Sequence, residues 1–401
     1  MLSRRSFLRY ATLTTCASPF LVGCEANPAL KVLLLNRSIP PQLLGKFRRT
    51  IPETSFKFLL ETNFKTLYSR LELWQEKDRE AEKSFWQNLP LIGSKEAEIA
   101  QLVALGNYWF EQAIAQNLIQ TVAADTVSQW QQLPPQFQQY VTRNEQGDRD
   151  PGGQVWGAPY RFGSTVIAYK RQPFEKLGWF PEDWSDLWRD ELKNRLSVVN
   201  QPREIIGLTL KKLGYSYNET DLGKIPNLEA ELTQFSQQVK FYSSTHYLQP
   251  LILDDVWATV GWSNDILPLQ QRYRDIEVIV PASGTAIWLD LWVQPNLAIS
   301  ETQQEVLQQW INYCWQENPA WEISLWTDGL SPILLTGDRD RLPEDLRDNA
   351  FVRSSLAAFP NSDIIEPLSE EATQQYNQLW EKMRSPQVDT VSETNINVKI
   401  S

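Results

Sequence analysis

Val155-Trp156-Gly157-Ala158-Pro159-Tyr160-Arg161-Phe162-Gly163 runs on into Ser164-Thr165-Val166-Ile167-Ala168-Tyr169. From Gly163 to Tyr169 the β-branched and aromatic content predicts a strand. Directly before it, Pro134-Pro135 and the Asp-, Gly- and Arg-rich run from Asn144 to Gly153 predict loop. The stretch therefore opens a second series of elements after a first has closed. In that first series the pattern predicts strands at Lys31 to Leu35, Phe56 to Leu60 and Ile99 to Leu105. Between and after them it predicts helices around Leu43 to Phe47, over Thr66 to Phe85 with Leu67, Leu71 and Trp74 on its apolar stripe, and over Phe110 to Leu118. The second series predicts strands at Leu196 to Asn200, Val256 to Trp262, Val278 to Val280 and Thr285 to Val293. Its helices are expected at Trp184 to Trp188, at Ile205 to Leu213 closed by Gly214, at Ile266 to Tyr273, and from Gln303 to Gln316, ending near Pro319. Strands alternating with helices predict an α/β protein with a largely parallel sheet. The segment from Ser385 onward is expected to be loose.

The 401 residues are 42% hydrophobic, 22% charged and 11% aromatic, as in a folded globular chain long enough for two or three folding units. The formal charge of −11 argues against nucleic acid as the partner, because a phosphate backbone needs a basic face. With one histidine, His246, and no C-x-x-C or H-x-x-x-H spacing, zinc sites of the Cys/His type are excluded, and neither a metal nor a cofactor is expected. Seventeen tryptophans are far above the ordinary share. Most should pack cores, and some can offer flat faces to a ligand.

At the N-terminus, Ser3-Arg4-Arg5-Ser6-Phe7-Leu8-Arg9 matches the twin-arginine export motif, with Arg9 in place of its final lysine. The mildly apolar stretch Ala11 to Gly23 is too short to span a membrane, which takes about 20 apolar residues. It ends in Leu21-Val22-Gly23-Cys24, similar to a bacterial lipobox, so residues 1–23 are expected to be a signal peptide and Cys24 the lipidated mature N-terminus. Its removal takes three arginines and brings the formal charge to −14. Of the cysteines only Cys314 then stays free, which leaves no internal disulfide. The mature protein is expected outside the cytoplasm, periplasmic or in the cell envelope, and anchored to a membrane rather than threaded through it.

Four segments together resemble the bacterial polyamine-type (spermidine/putrescine) solute-binding proteins of ABC importers. Val155 to Gly163 is similar to their V-P-Y-x-W-G segment, and Trp184-Ser185-Asp186-Leu187-Trp188 to their S-W-x-D-L-W. Arg203-Glu204 with Leu210 to Tyr215 resembles a helix of theirs, and Gly261-Trp262 and Ile287-Trp288-Leu289-Asp290 resemble two ligand-side segments. The resemblance is good over residues 155–335. It implies a two-lobe periplasmic-binding-protein fold of type II, with the ligand cleft between lobes joined by hinge crossings near Phe162 to Thr165 and near Trp288 to Asp290. The implied organisation is a first lobe at 24–162, a second at 163–287, a return to the first at 288–345, a C-terminal helical segment packing across the lobes at 346–385, and a loose tail at 386–401. The implied function is not enzymatic. A monomeric receptor captures a small cation, a polyamine, and passes it to an ABC permease in the membrane.

The resemblance also implies the site. A polyamine needs carboxylates for its ammonium groups and aromatic walls along its methylenes. Trp288 and Asp290, two apart on a strand, face one way, and Asp290 is expected to pair with an ammonium. Trp262 and Asp265 follow the pattern of the putrescine-binding members, with first-turn capping as the structural alternative for Asp265. For Glu204 the alternative is the dipole of the helix it opens. Tyr108 matches a ligand tyrosine, with Trp109 as its rival, and Ser38 matches a position in the first-strand loop. Two departures lower the negative charge: Asn36-Arg37-Ser38-Ile39-Pro40 replaces the family's N-W-[ST]-[ED]-Y, and Gln201 stands where some members carry aspartate. Other solutes, an amino acid derivative or a sugar, therefore remain open, as do a secreted carboxylate-pair hydrolase and a lipoprotein that has lost its ligand.

Overall fold

The computed structural model of the protein describes residues 30–52, 56–84 and 98–384. The export segment, Cys24 and the tail from Ser385 lie outside the described residues.

The described residues form thirteen strands: β1 (Leu30–Leu35), β2 (Phe56–Glu61), β3 (Leu102–Gly106), β4 (Ile119–Gln120), β5 (Thr142–Arg143), β6 (Gln154–Val155), β7 (Ala158–Lys170), β8 (Leu196–Val198), β9 (Val239–Tyr242), β10 (Ala258–Trp262), β11 (Ile276–Ile279), β12 (Ala286–Pro295) and β13 (Asp363–Ile364). The main path of the large sheet runs β2-β1-β3-β12-β7-β10-β8-β9. At its two ends the sheet is parallel, β1 with β2 and β3, and β8 with β9 and β10. Of these, the inner strands β1, β3 and β8 are short and largely buried, which is why β1 reads as the apolar run Val32-Leu33-Leu34, while the edge strands β2 and β9 are partly exposed.

The middle of the sheet corrects the expectation of a largely parallel arrangement. β12 runs antiparallel to both β3 and β7, and β10 and β11 run antiparallel to β7. β7 is 13 residues long and buried throughout, far longer than the predicted Gly163 to Tyr169. Through Ser164 it pairs with β12, and from Thr165 onward with β10. It is therefore shared by two lobes, each with its own core. One core is built around Phe47, Trp292 and Trp310 and the other around Trp184, Trp188 and Phe235. Trp184 and Trp188 pack the core: their rings are buried and their indole nitrogens donate to the carbonyls of Gly284 and Glu231.

The register between β12 and β7 has one irregularity. Asp290 lies opposite Arg161, but Leu291 lies opposite Pro159, so Tyr160 is an extra residue bulged out of the ladder. Its ring stacks on Trp292 at 4.1 Å. Pro159, which has no N–H to give, sits at this break, and its carbonyl accepts from Trp315 Nε1 at 2.6 Å.

The expected helix from Gln303 to Gln316 is the helix Glu301–Cys314, and a second helix, Glu317–Trp326, follows it directly. Pro319 lies in the first turn of the second, where a missing N–H costs nothing. The C-terminal helix Glu370–Arg384 packs Tyr376 and Met383 into the second core.

Candidate functional site

A cavity of about 350 Å³ opens where the two lobes meet. The first lobe contributes Phe64 and the turn Asn107–Trp109 after β3. The shared strands contribute Arg161, Trp288 and Asp290, and the second lobe contributes Trp262 and Asn264. The position follows from the topology, because ligands in open α/β sheets collect beyond strand ends at a reversal of order.

Four of the residues singled out from the sequence meet here: Tyr108, Trp262, Trp288 and Asp290. Tyr108 is 68% exposed and lies edge-on to Trp109, whose ring stacks on Tyr68. Both aromatics of the turn line the cavity, so Trp109 is a wall as well as Tyr108. Trp288 lies directly opposite Gly163 in register, and its ring sits where a Cβ on residue 163 would be, 2.0 Å from that position. Only glycine leaves room for the indole.

Glu204 and Asp265 adjoin the cavity through residues they hold. Glu204 lies in the first turn of the helix Pro202–Lys212. Its Oε1 accepts from Trp262 Nε1 at 2.9 Å and its Oε2 from the Thr165 hydroxyl at 2.6 Å. Asp265 accepts from Tyr247 Oη at 3.0 Å and from Asn264 Nδ2 at 3.1 Å. The helix Ser263–Arg272 has no side-chain cap, so the capping alternative for Asp265 is replaced by this Tyr247 contact. Burial raises both carboxyls above their ordinary values. Thr165, Trp262 and the nearby Arg203 charge partly offset the rise at Glu204, and Tyr247 at Asp265, where Asp328 adds to it. Among the described residues neither carboxylate has a cationic side chain within ion-pair distance.

Two expectations are corrected. Asp290 is fully buried and already paired: Arg161 Nε donates to its Oδ2 at 2.7 Å. Burial pushes the Asp290 carboxyl up, and Arg161 opposes that. Burial alone would lower the guanidinium, but Asp290 together with Tyr160 and Asp328 outweighs it and raises Arg161. Ser38 is also fully buried, next to the Tyr160 hydroxyl, and does not line the cavity. The reason is local: Arg37 takes a left-handed φ of 67°, which turns the chain so that Ser38 points inward. Arg37 itself pairs with Asp328 at 3.5 Å.

Sequence reasoning missed Arg161 and Asn107. A charged residue between Tyr160 and Phe162 in a buried strand needs a partner, and Asp290 posed the same problem, so the two could have been matched. Asn107 is buried, accepts from the Leu289 N–H at 2.9 Å and donates to the Ile365 carbonyl at 2.8 Å. It joins the first lobe to β12 and to the C-terminal segment. Its only signal was position, directly after the third strand.

Among the described residues no cluster of His, Cys, Asp and Glu could hold a metal ion. No described helix is long and apolar enough to cross a membrane.

Residues 97–351 match the family described as bacterial extracellular solute-binding protein. The spermidine/putrescine-binding periplasmic protein of Salmonella typhimurium is 24% identical over 288 residues, which is 71% of this chain and 72% of that protein. The putrescine/cadaverine-binding protein of Pseudomonas aeruginosa is 26% identical over 249 residues, covering 58% of this chain and 67% of that one. In fold, the chain is similar to the spermidine/putrescine ABC transporter substrate-binding protein of Streptococcus pneumoniae. The TM-score is 0.71 at 18% identity, over 88% of this chain and 98% of the other.

Proposed function

The chain belongs to the bacterial extracellular solute-binding proteins, and from that membership we propose that it captures a small organic amine in the cleft between its lobes. It is a two-lobe solute-binding protein of the polyamine-importer type rather than an enzyme. The observation that carries the amine reading is the end of the cavity formed by the second lobe. There Trp262 offers a ring face, and Glu204 and Asp265 stand beside it with no internal cation. An ammonium at this end gains cation–π contact and two carboxylates at once. Tyr108, Trp109 and Trp288 then enclose the apolar stem.

The division into lobes at residues 24–162, 163–287 and 288–345 fits the exchange of partners along β7 and β12. Closure of the lobes by hinge motion would bury the solute, and an ABC permease would receive it. The twin-arginine motif at Arg4-Arg5 and the lipobox at Cys24 support export and lipid anchoring.

A calorimetric panel of amines, basic amino acids and neutral sugars tests the reading. Amines should bind, and sugars should give no heat. Binding of a sugar with no response to any amine overturns it.

A further inference from the structure

The part of the cavity lined by the shared strands differs in kind from the part lined by Trp262 and Asn264. The carboxylate in its lining, Asp290, is matched by Arg161 from the facing strand, and the register that places them opposite each other makes this pair part of the fold. The Arg161 guanidinium lies 5.6 Å from the centre of the Trp288 ring. A protein-borne cation thus already holds the position over the aromatic and against the carboxylate that a ligand ammonium would take. The stem of Arg161 is locked as well: a Cβ on residue 329 would come within 2.8 Å of its Cγ, so Gly329 gives it room. Two polar atoms at this end are left over, both buried and without a partner. They are Oδ1 of Asp290, an acceptor, and Nε1 of Trp288, a donor. Both residues line the cavity.

Behind Trp262 therefore stand two carboxylates with no ion-pair partner, and the shared strands offer a neutralised ion pair with one free acceptor and one free donor. Resting on the amine reading above, we infer that the solute carries a single ammonium and that its far end is an uncharged donor–acceptor group, such as a hydroxyl or an amide. The ammonium lies at Trp262 with Glu204 and Asp265. The far group donates to Asp290 Oδ1 and accepts from Trp288 Nε1. Arg161 is then the specificity-determining residue. A second ammonium would be stripped of water beside a guanidinium and would find no unpaired carboxylate in exchange, a costly juxtaposition of like charges.

Three ligands of equal length test this by calorimetry on the full chain: 1,4-diaminobutane, 4-amino-1-butanol and 4-aminobutanoate. The wild type should bind 4-amino-1-butanol at least about tenfold more tightly than the diamine. In Arg161→Met the order should invert, since Asp290 becomes free for the second ammonium. If that variant does not fold, Arg161→Met/Asp290→Asn removes both charges, and the discrimination should shrink to within about threefold. Equal or tighter binding of the diamine by the wild type overturns the inference and leaves the amine reading standing. Tightest binding of 4-aminobutanoate overturns it too, because Arg161 would then be acting as a free cation. If none of the three binds, the amine reading falls and the inference falls with it.

Discussion

Trp262 gives its indole N–H to Glu204 at 2.9 Å, so a wall of the cavity and the carboxylate behind it are one unit. The bond ties the last residue of β10 to the first turn of the helix Pro202–Lys212. It fixes the ring face and keeps a buried carboxylate hydrogen-bonded while no ligand is present.

Trp262→Leu removes both roles. Loss of the cation–π face should weaken amine binding by about 0.5–2 kcal/mol. Loss of the donor should also lower stability by about 1–3 kcal/mol, because Glu204 Oε1 is left unpaired. Trp262→Phe separates the two effects, keeping most of the affinity while losing the stability. Calorimetry and thermal unfolding of the pair check this.

Glu204 should make both stability and binding depend on pH, with opposite signs. Burial raises its carboxyl above the ordinary 4.5. The folded protein therefore keeps a proton that the unfolded chain has released. The resulting stabilisation is complete below the ordinary value and is lost as pH rises through the higher folded value. Glu204→Gln carries no such proton. Its melting temperature should gain on that of the wild type as pH rises from about 4.5 toward neutrality. Amine affinity of the wild type should rise over the same window, because an ammonium needs the ionised carboxylate. Melting curves of the two proteins that shift in parallel with pH contradict this assignment.

Asn107 bridges Leu289 and Ile365, so Asn107→Ala strands a buried N–H and a buried carbonyl. A loss of about 1–3 kcal/mol per orphaned group is expected in chemical denaturation. Asn107→Asp keeps the acceptor for Leu289 but buries a carboxylate whose second oxygen faces the Ile365 carbonyl, so its cost at neutral pH should be at least as large. Equal stability of all three proteins would show that water satisfies these groups.

What the sequence revealed of the fold was local. Val32 to Leu34 could be read as a buried parallel strand because every residue in it is apolar, and Gly214, with φ of 84°, closes its helix as the pattern requires. The central antiparallel strands could not be read in the same way. Their identity depends on which strands pair, and Arg161 and Asp290 are 129 residues apart. The bulge at Tyr160 then decides that these two side chains meet rather than their neighbours. For the same reason Asp290 was legible as a carboxylate needing a partner, while the partner was not. Tyr108, Trp262 and Trp288 were found through a resemblance. No pattern of spacing would have singled them out among 17 tryptophans and 13 tyrosines.

The N-terminal proposal is checked by cell fractionation. Cys24→Ala should release the protein from membranes, and Arg4-Arg5→Lys-Lys should block its export. A Cys24→Ala protein that still pellets with membranes as the wild type does would place the anchor elsewhere.

Hydrogen–deuterium exchange with and without a bound amine tests most directly whether solute is held between the lobes. Protection should appear together in the turn Asn107–Trp109 of the first lobe and at Trp262 and the start of the helix Ser263–Arg272 in the second. The account is contradicted if protection is confined to one lobe. It is equally contradicted if protection falls instead in the groove of about 790 Å³ between the helices Leu228–Gln238 and Glu370–Arg384.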